Sequence, residues 1–316
     1  MKIVLLESLG IPAELLKSYA DKLEAKGHTF AAYEKNTDAQ VQIDRAKDAD
    51  VIMIANMPLK GEVIRACKNL KFINVAFTGV DHVDLAAAKE MGVKVSNASG
   101  YSTQSVAELA LGMMLSLLRN VPQVEERCRA GKTKDGLVGT ELRGKTVGIV
   151  GAGAIGQNTG RLCKAFGCKV IAYNHRPKQA AEGTIDEFVD LDTLTREADI
   201  ISLNCPLNDS TRGMFDAERI AMMKKTAILI NVARGPVVDS RALADALNEG
   251  RIAGAGIDVF ETEPPLDVNH PLLHTPNTIV TPHVAFASKE SMALRAQIVF
   301  DSLDSFLAGK QVNVIL

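Results

Sequence analysis

Residues 146–156 read TVGIVGAGAIG, and this stretch decides the fold of the chain. The apolar side chains of Val147, Ile149 and Val150 predict a buried strand, and a helix is predicted over residues 154–166. The glycine-rich turn between them has the spacing G-x-G-x-x-G. Such a turn between a strand and a helix is typical of a dinucleotide site.

Each glycine of the turn has its own physical task. Gly151 permits a tight turn, Gly153 lets the backbone approach a pyrophosphate, and Gly156 lets the helix pack closely on the strand. The first helical residues, Ala154 and Ile155, present backbone N–H groups and the positive end of the helix dipole to the phosphates. A tight turn that binds nothing is the alternative, but the strand before, the helix after and the strand beyond it favour a dinucleotide.

Length and composition narrow the class of protein. The 316 residues correspond to about two domains, and 47% hydrophobic with 23% charged residues is typical of a soluble globular protein. The net charge of −2 indicates no nucleic-acid partner. Apolar runs fall short of the roughly 18 residues that cross a membrane, and the first ten residues do not form a signal peptide. Five scattered cysteines predict free thiols, a cytoplasmic location and no metal site.

Short apolar strands alternate with helical segments along the chain, which predicts parallel sheets covered by helices. In the first part, strands are predicted over 2–6, 28–33, 50–55, 72–77 and 94–96, and helices over 12–26, 61–67 and 84–91. A long apolar helix over 103–119, with a second helical piece to about residue 130, precedes the glycine turn. Its apolar surface is broad enough to be buried between domains or in a subunit interface.

The second part repeats the pattern and gives about six parallel strands. Beyond the strand at 146–150 they are predicted over 168–173, 200–203, 227–231, 254–259 and 278–281, with helices clearest at 216–223 and 240–248. A last helix is predicted over 288–307. The fold class is therefore α/β.

Three further stretches carry side chains suited to chemistry. Arg234 lies in NVARGPVVD, at the carboxyl end of a strand where open sheets bind ligands, although a loop arginine in a structural salt bridge is equally typical. Asp258, Glu261 and Glu263 lie in GAGIDVFETEPP, where acidic loop residues also serve solubility. His283 lies in TPHVAF, where a packed histidine is the more common structure.

Together these residue types fit hydride transfer to a 2-keto acid. The reaction needs a cation for the carboxylate, a proton donor for the carbonyl oxygen and a group that sets the donor's protonation. An arginine, a histidine and a glutamate beside the histidine supply them, because a nearby carboxylate favours imidazolium.

The same motifs resemble those of the D-isomer-specific 2-hydroxyacid dehydrogenases. GAGAIG, NVARGPVVD, GAGIDVFETEPP and TPHVAF occur in order, and FTGVDHVDL and SVAELALGMML extend the likeness over nearly the whole chain. Hydroxypyruvate and glyoxylate reductases are the members that it resembles.

The resemblance implies a role for individual residues. Arg234 would bind the substrate carboxylate and carbonyl, and the backbone of Thr78 and Gly79 would hold the carboxylate. His283 would be the general acid in reduction and the base in oxidation, paired with Glu263. Asp258 would contact the nicotinamide carboxamide. Further cofactor contacts are predicted at Cys205, Pro206, Thr211 and Ala233.

The resemblance also implies an architecture of two doubly wound parallel-sheet domains with a cleft between them. A flavodoxin-like substrate domain would comprise residues 1–98 and 288–316, and a Rossmann nucleotide domain residues 99–287. Members are usually dimers through the long helical region, so a homodimer is expected.

Two departures from the family pattern concern the cofactor. Asn204 stands where a histidine is frequent. At the end of the second strand, where an acid would bond the ribose 2′-OH of NAD, the residues are Asn174, His175 and Arg176. With no carboxylate to repel a phosphate and a cation to attract one, the sequence favours NADP(H), and NAD held through neutral contacts is the alternative.

No basic cluster near Thr78 and no added regulatory domain are expected, which favours an unphosphorylated keto acid such as hydroxypyruvate, glyoxylate or pyruvate. The alternatives are a nucleotide-sensing co-repressor on the same fold, and a related formate or phosphite dehydrogenase.

Overall fold

A computed structural model describes residues 1–176 and 179–316. The chain forms two compact units, of which the first comprises Met1–Ser102 and Ala287–Leu316 and the second Thr103–Phe286. Among the described residues, no helix combines the length and apolar character needed to span a membrane.

The first unit is built on a five-stranded parallel sheet. Its strands are β1 (Lys2–Leu5), β2 (Thr29–Ala32), β3 (Val51–Ile54), β4 (Phe72–Val75) and β5 (Lys94–Asn97). They lie in the order β2-β1-β3-β4-β5, and Ile3 pairs with Val51. Every residue of β3 and β4 is buried, because helices cover both faces of a parallel sheet. Strand β3 is accordingly apolar throughout, and β4 is apolar except for Asn74.

Four helices connect these strands, namely α1 (Ala13–Ala25), α2 (Ala39–Ala46), α3 (Gly61–Ala66) and α4 (Leu85–Glu90). Sequence reasoning missed α2. Its signal was Asp38, whose side chain accepts hydrogen bonds from the N–H groups of Gln40 and Val41 and so caps the helix.

The second unit begins with α5 (Thr103–Leu118) and α6 (Val121–Arg129). Helix α5 is buried through Val106, Ala107, Ala110, Met113 and Met114, and its half-buried leucines pack on the same core. Its broad apolar surface is thus covered to a large extent within the unit.

A seven-stranded parallel sheet forms the centre of the second unit, so the prediction of about six strands was one short. The strands are β6 (Thr146–Val150), β7 (Lys169–Tyr173), β8 (Glu187–Phe188), β9 (Ile200–Leu203), β10 (Ile228–Asn231), β11 (Gly254–Ile257) and β12 (Thr278–Val280). They lie in the order β12-β11-β10-β9-β6-β7-β8. The missed strand, β8, is an exposed two-residue edge strand that is too short to show an apolar pattern.

The remaining helices of this unit are α7 (Ala154–Ala165), α8 (Leu191–Glu197), α9 (Ala217–Ala221) and α10 (Ser240–Asn248). The strand order reverses between β6 and β9, and such switch points at the carboxyl ends of strands are where open α/β sheets bind ligands.

The last helix, α11 (Lys289–Leu307), returns to the first unit. Ser288 caps its start in a capping box with Ser291. The ring of Phe306 stacks on Phe72 with centroids 4.2 Å apart, and Asn74 Nδ2 donates to the carbonyl of Val299 at 2.8 Å. The first core therefore depends on residues from both ends of the chain.

Candidate active site

The glycine turn after β6 is shaped by close backbone packing. A Cβ atom at Gly151, whose φ is 95°, would lie 2.7 Å from the backbone nitrogen of Cys205. At Gly156 it would lie 2.1 Å from the carbonyl oxygen of Gly151. At Gly153, by contrast, no atom lies within 4 Å of the added Cβ. The turn therefore needs two glycines for packing and leaves open space over the third.

Helix α7 starts at this turn, with Ala154 and Ile155 in its first positions. Gly153 precedes them and offers no side chain to cap the first N–H groups. Uncapped N–H groups at a helix start attract anions. The backbone of Asn204 packs against Gly151, and the buried Oδ1 of Asn204 lacks a hydrogen-bond partner among the described residues. Open space, helix N–H groups and an unused acceptor fit a dinucleotide.

The turn after β7 contains no carboxylate at the position expected for an NAD-specific site. Asn174 Oδ1 accepts a hydrogen bond from the N–H of Ala152 at 3.2 Å, and its Nδ2 donates to the carbonyl of Arg176 at 2.7 Å. One end of the amide therefore ties this turn to the glycine turn after β6, and the other end holds the turn itself. His175 and Arg176 are exposed, and residues 177 and 178 lie outside the described residues.

The segment after β9 is held by internal hydrogen bonds. The Thr211 hydroxyl donates to the carbonyl of Pro206 at 2.7 Å and accepts from the N–H of Asn208 at 2.9 Å. Burial raises the pKa of the Cys205 thiol to about 11, so this side chain is neutral and presents an apolar surface. Asn204 Nδ2 donates to the carbonyl of Ser202 at 3.0 Å, which fixes the amide.

Arg234 lies three residues after the end of β10, in a turn that hydrogen bonds hold in place. Asn231 Nδ2 donates to the carbonyl of Arg234 at 3.0 Å, and Asn231 Oδ1 accepts from the N–H of Ala233 at 3.1 Å. A Cβ atom at Gly235 would lie 1.9 Å from the carbonyl carbon of Phe260. The glycine thus lets the arginine turn touch the acidic loop that follows β11.

Glu263 and His283 form a direct pair. His283 Nδ1 lies 2.9 Å from Oε1 and 2.8 Å from Oε2 of Glu263. The imidazole is 10% exposed, and the carboxylate is 45% exposed. The ring also meets Phe286 edge-on, with centroids 5.4 Å apart. The pair can hold and transfer a proton.

Asp258 fixes the loop that carries the histidine. This side chain is fully buried, and it accepts hydrogen bonds from the Thr281 hydroxyl at 2.5 Å and from the N–H groups of Val284 and Ala285 at 2.9 Å. Burial raises the pKa of the Asp258 carboxyl, and the three hydrogen bonds oppose that effect. The sequence predicted a contact of Asp258 with nicotinamide but not its hydrogen bonds to the loop of His283. The signal for that second role was a carboxylate at the end of an apolar strand.

A second histidine–carboxylate pair, also missed, lies in the acidic loop. His270 Nε2 is 2.9 Å from Oε2 of Glu261, which also accepts a hydrogen bond from Ser240. Burial acts to raise the pKa of Glu261, but these bonds outweigh it and the pKa lies below its ordinary value. The pair anchors the loop two residues before Glu263.

In the first unit, Thr78 and Gly79 follow β4 in a partly exposed turn. The Thr78 carbonyl accepts a hydrogen bond from Asn97 Nδ2 at 2.6 Å, and the N–H of Ala98 donates to the carbonyl of Phe77 at 2.9 Å. The second unit brings Arg234, Glu263 and His283 to the carboxyl ends of β10, β11 and β12. Within the described residues, no group of three histidine, cysteine or acidic side chains could hold a metal ion.

The sequence model of the D-isomer specific 2-hydroxyacid dehydrogenase NAD binding domain matches residues 111–285. A hydroxypyruvate reductase of Blautia hydrogenotrophica is 38% identical over 304 residues, which cover 93% of this chain and 93% of that protein. A glycerate dehydrogenase of Methylorubrum extorquens is 39% identical over 298 residues, covering 91% of this chain and 92% of that protein. The solved structure of an acyclic imino acid reductase in complex with NADPH and D-Arg has a TM-score of 0.91 and 30% identity, with 100% of both chains covered.

These likenesses give no support to a nucleotide-sensing co-repressor. The protein is an oxidoreductase that transfers a hydride between a nicotinamide cofactor and a small 2-keto or D-2-hydroxy acid, acting on the CH–OH group. The chain belongs to the D-isomer specific 2-hydroxyacid dehydrogenase family.

Proposed function

We propose that the chain reduces small, unphosphorylated 2-keto acids of the hydroxypyruvate, glyoxylate or pyruvate type to D-2-hydroxy acids. The observation that carries this proposal is the contact of His283 Nδ1 with both carboxylate oxygens of Glu263, at 2.9 and 2.8 Å. A carboxylate on one ring nitrogen fixes the orientation of the imidazole. The other nitrogen, Nε2, is then the atom that exchanges a proton with the substrate.

Each residue of the proposed site has one role in the reaction. When bound, the reduced nicotinamide supplies the hydride that adds to the keto carbon. His283 donates a proton to the keto oxygen, and in the reverse direction it takes the hydroxyl proton. The guanidinium of Arg234 binds the substrate carboxylate through its planar fork, and the backbone N–H groups of Thr78 and Gly79 bind carboxylate oxygens.

The glycine turn would hold the cofactor. Gly151, Gly153 and Gly156 shape the turn, while the N–H groups of Ala154 and Ile155 would bind the pyrophosphate. Beyond the turn, the cofactor surface would be completed by Cys205, Pro206, Thr211, Ala233 and Asp258. Any contact of Asp258 with the nicotinamide carboxamide would add to the three hydrogen bonds that its carboxylate already accepts.

NADP(H) is the favoured cofactor in this proposal. Since both ends of the Asn174 amide already bond to backbone groups, recognition of a 2′-phosphate falls to the exposed His175 and Arg176. A charge-assisted hydrogen bond from a guanidinium is worth about 1.5–3 kcal/mol. Arg176→Gln is therefore expected to lower kcat/KM with NADPH by about tenfold or more and to leave the value with NADH within about twofold.

The control for this variant is Arg196→Gln, which removes another exposed arginine, on α8. It is expected to change neither cofactor's kcat/KM. Equal losses with NADPH and NADH in Arg176→Gln would contradict the assignment of the 2′-phosphate site.

The reaction itself is tested by the loss of nicotinamide absorbance with hydroxypyruvate, glyoxylate and pyruvate, each with NADH and with NADPH. Turnover of at least one acid is expected, and chiral analysis should give the D-hydroxy acid. Tight cofactor binding without turnover of any of the three acids would contradict the proposed substrates.

We also propose a cytoplasmic homodimer. All five cysteines are free, which fits a reducing compartment. Helix α5 presents half-buried leucines, and Val121 at the start of α6 is 43% exposed, so this helical region offers apolar surface to a second copy. Light scattering on a sizing column should give twice the mass of 33.9 kDa.

A further inference from the structure

Within the first unit, all of whose residues are described, two charged side chains are buried. Glu7 and Arg295 are each 3% exposed. Burying a charge costs free energy unless hydrogen bonds and an opposite charge compensate it, and apolar side chains of similar size often stabilise a fold as well or better. The hydrogen bonds that these two residues make indicate what the charges do.

Glu7 holds the segment that follows β3. Its Oε1 accepts hydrogen bonds from the N–H groups of Ala55 at 2.7 Å and Met57 at 2.8 Å. One carboxylate oxygen thus ties together two N–H groups two residues apart. The backbone of residues 55–57 is fixed at the carboxyl end of the strand, where a loop would otherwise be free to move.

Arg295 reaches the same edge of the sheet from α11. Its Nη2 donates to the carbonyl of Leu9 at 2.5 Å, and it forms a side-chain hydrogen bond with Tyr101. The Arg295 Cζ atom lies 5.7 Å from the Tyr101 ring centroid. Burial lowers the pKa of the guanidinium, while the Tyr101 hydroxyl and the negative charge of Glu7 oppose that effect.

Tyr101 connects Arg295 to the turn after β4. Its ring packs on Phe77 with centroids 6.1 Å apart. Phe77 directly precedes Thr78, whose carbonyl is held by Asn97 Nδ2 at 2.6 Å. The contacts therefore run without interruption from Arg295 to the Thr78–Gly79 turn, while Glu7 holds residues 55–57 and acts on Arg295 through its charge.

The connected segments follow β1, β3, β4 and β5, which are neighbours in the sheet. All four strands are parallel, so the segments meet at the edge where open α/β sheets bind ligands. We propose that Glu7 and Arg295 are positioning residues for substrate binding, which hold the residue 55–57 segment and the Thr78–Gly79 turn in the arrangement that accepts the substrate carboxylate. This inference rests on the proposed function.

A charged pair suits this task because the groups that it holds are backbone N–H and C=O groups. The carboxylate accepts from two donors, and the guanidinium donates to a carbonyl and a hydroxyl, so each fixes direction as well as distance. An apolar pair of equal volume would fill the space and leave the four segments free to shift.

The test separates stability from positioning by a double-mutant cycle with Glu7→Gln, Arg295→Met and the double variant. Each single variant leaves a buried charge without its partner and should lower Tm. The double variant removes both charges and should regain most of the lost Tm. We expect its KM for the keto acid to stay raised by about tenfold, the effect of one hydrogen bond, while kcat changes less and the Kd of the cofactor stays the same.

Asn74→Ala is the matched control. Asn74 also ties α11 to β4, but at mid-strand, by donating from Nδ2 to the carbonyl of Val299 at 2.8 Å. It should lower Tm and leave KM for the keto acid unchanged. If either single variant fails to fold, the double variant and this control still decide the outcome.

The outcomes separate the inference from the function on which it rests. A double variant with wild-type KM, whatever its Tm, would overturn the inference alone. A raised KM in Asn74→Ala would do the same, because any loosening of α11 would then suffice. Wild-type protein that turns over no keto acid would overturn the proposed function and the inference with it.

Discussion

His283 occupies the left-handed backbone region, with φ at 56°, where a residue other than glycine costs of order 1–3 kcal/mol. Its N–H donates to the carbonyl of Asp258 at 2.7 Å, and the Asp258 carboxylate holds the two residues that follow it. The ring is thus aimed by the backbone as well as by Glu263. Strain of this kind persists where the surroundings fix a functional side chain.

His283→Asn tests the proton donor with little change in the backbone, since asparagine tolerates the left-handed region. We expect kcat for reduction to fall by about 10²–10⁴-fold, the usual contribution of general acid catalysis, with Tm and the Kd of the cofactor unchanged. Stopped-flow turnover and fluorescence titration measure these quantities. A variant that keeps wild-type kcat would exclude His283 as the acid.

Glu263→Gln tests the pairing. Because the carboxylate orients the imidazole through both of its oxygens, its removal should lower kcat for reduction by about tenfold or more. Glu261→Gln is the control, since Glu261 contacts His270 instead. Steady-state kinetics on all three proteins measure the effect, and a wild-type kcat in Glu263→Gln would rule out the coupling.

At the scale of the elements, the contact between the Arg234 turn and the acidic loop after β11 depends on the absence of a Cβ atom at Gly235. Gly235 lies so close to Phe260 that a Cβ would come within 1.9 Å of its carbonyl carbon. Gly235→Ala must therefore separate the arginine turn from the acidic loop that carries Glu263. We expect a loss of stability of about 1–3 kcal/mol, typical of overpacking, and a fall in kcat/KM of about tenfold or more.

Gly112→Ala is the counterpart of this variant on α5. An added Cβ at Gly112 meets no atom within 4 Å, and alanine favours a helix over glycine by about 1 kcal/mol. This variant should raise Tm and keep full activity. Chemical denaturation and steady-state kinetics on both proteins check the pair, and an unimpaired Gly235→Ala protein would show that the loops can part without cost.

Sequence patterns predicted elements whose signals are local. The buried strand β3 is an uninterrupted apolar run, and the spacing of Gly151, Gly153 and Gly156 marks the glycine turn. Strand β8 has two residues and helix α2 has eight, so each is too short for periodicity to reveal it. Arg295 bonds to the carbonyl of Leu9, which lies 286 positions earlier in the chain, and no local pattern encodes such a contact.

At the scale of the whole molecule, both sheets have the same hydrogen-bond arrangement at the amino ends of their strands. An aspartate just before a strand accepts a hydrogen bond from a backbone N–H near the start of the neighbouring strand and from a lysine. Asp50 bonds the N–H of Lys2 at 2.8 Å, and Asp199 bonds that of Thr146 at 2.9 Å. The lysines are Lys71 and Lys224, each at 2.8 Å.

Burial acts to raise the pKa of Asp50 and Asp199, but these bonds outweigh it and each pKa lies below its ordinary value near 3.8. A carboxyl with a lowered pKa stabilises the fold above that ordinary value, and the stability is lost as the pH falls through the lowered one. Asp50→Asn and Asp199→Asn should therefore lower Tm at neutral pH and flatten its decline below about pH 4. The exposed Asp209→Asn serves as the control, and parallel Tm–pH curves would contradict the account.

The composition of the first unit from both ends of the chain has a consequence for synthesis. Residues 103–286 leave the ribosome as one continuous segment, so the second unit can complete its core while the chain is still growing. The rings of Tyr19 and Phe72 must wait for Phe300 and Phe306 before they are covered. At that stage the nascent chain has a folded second unit, while the first unit still exposes apolar surface. Chaperones that bind apolar surface would engage the chain at this stage.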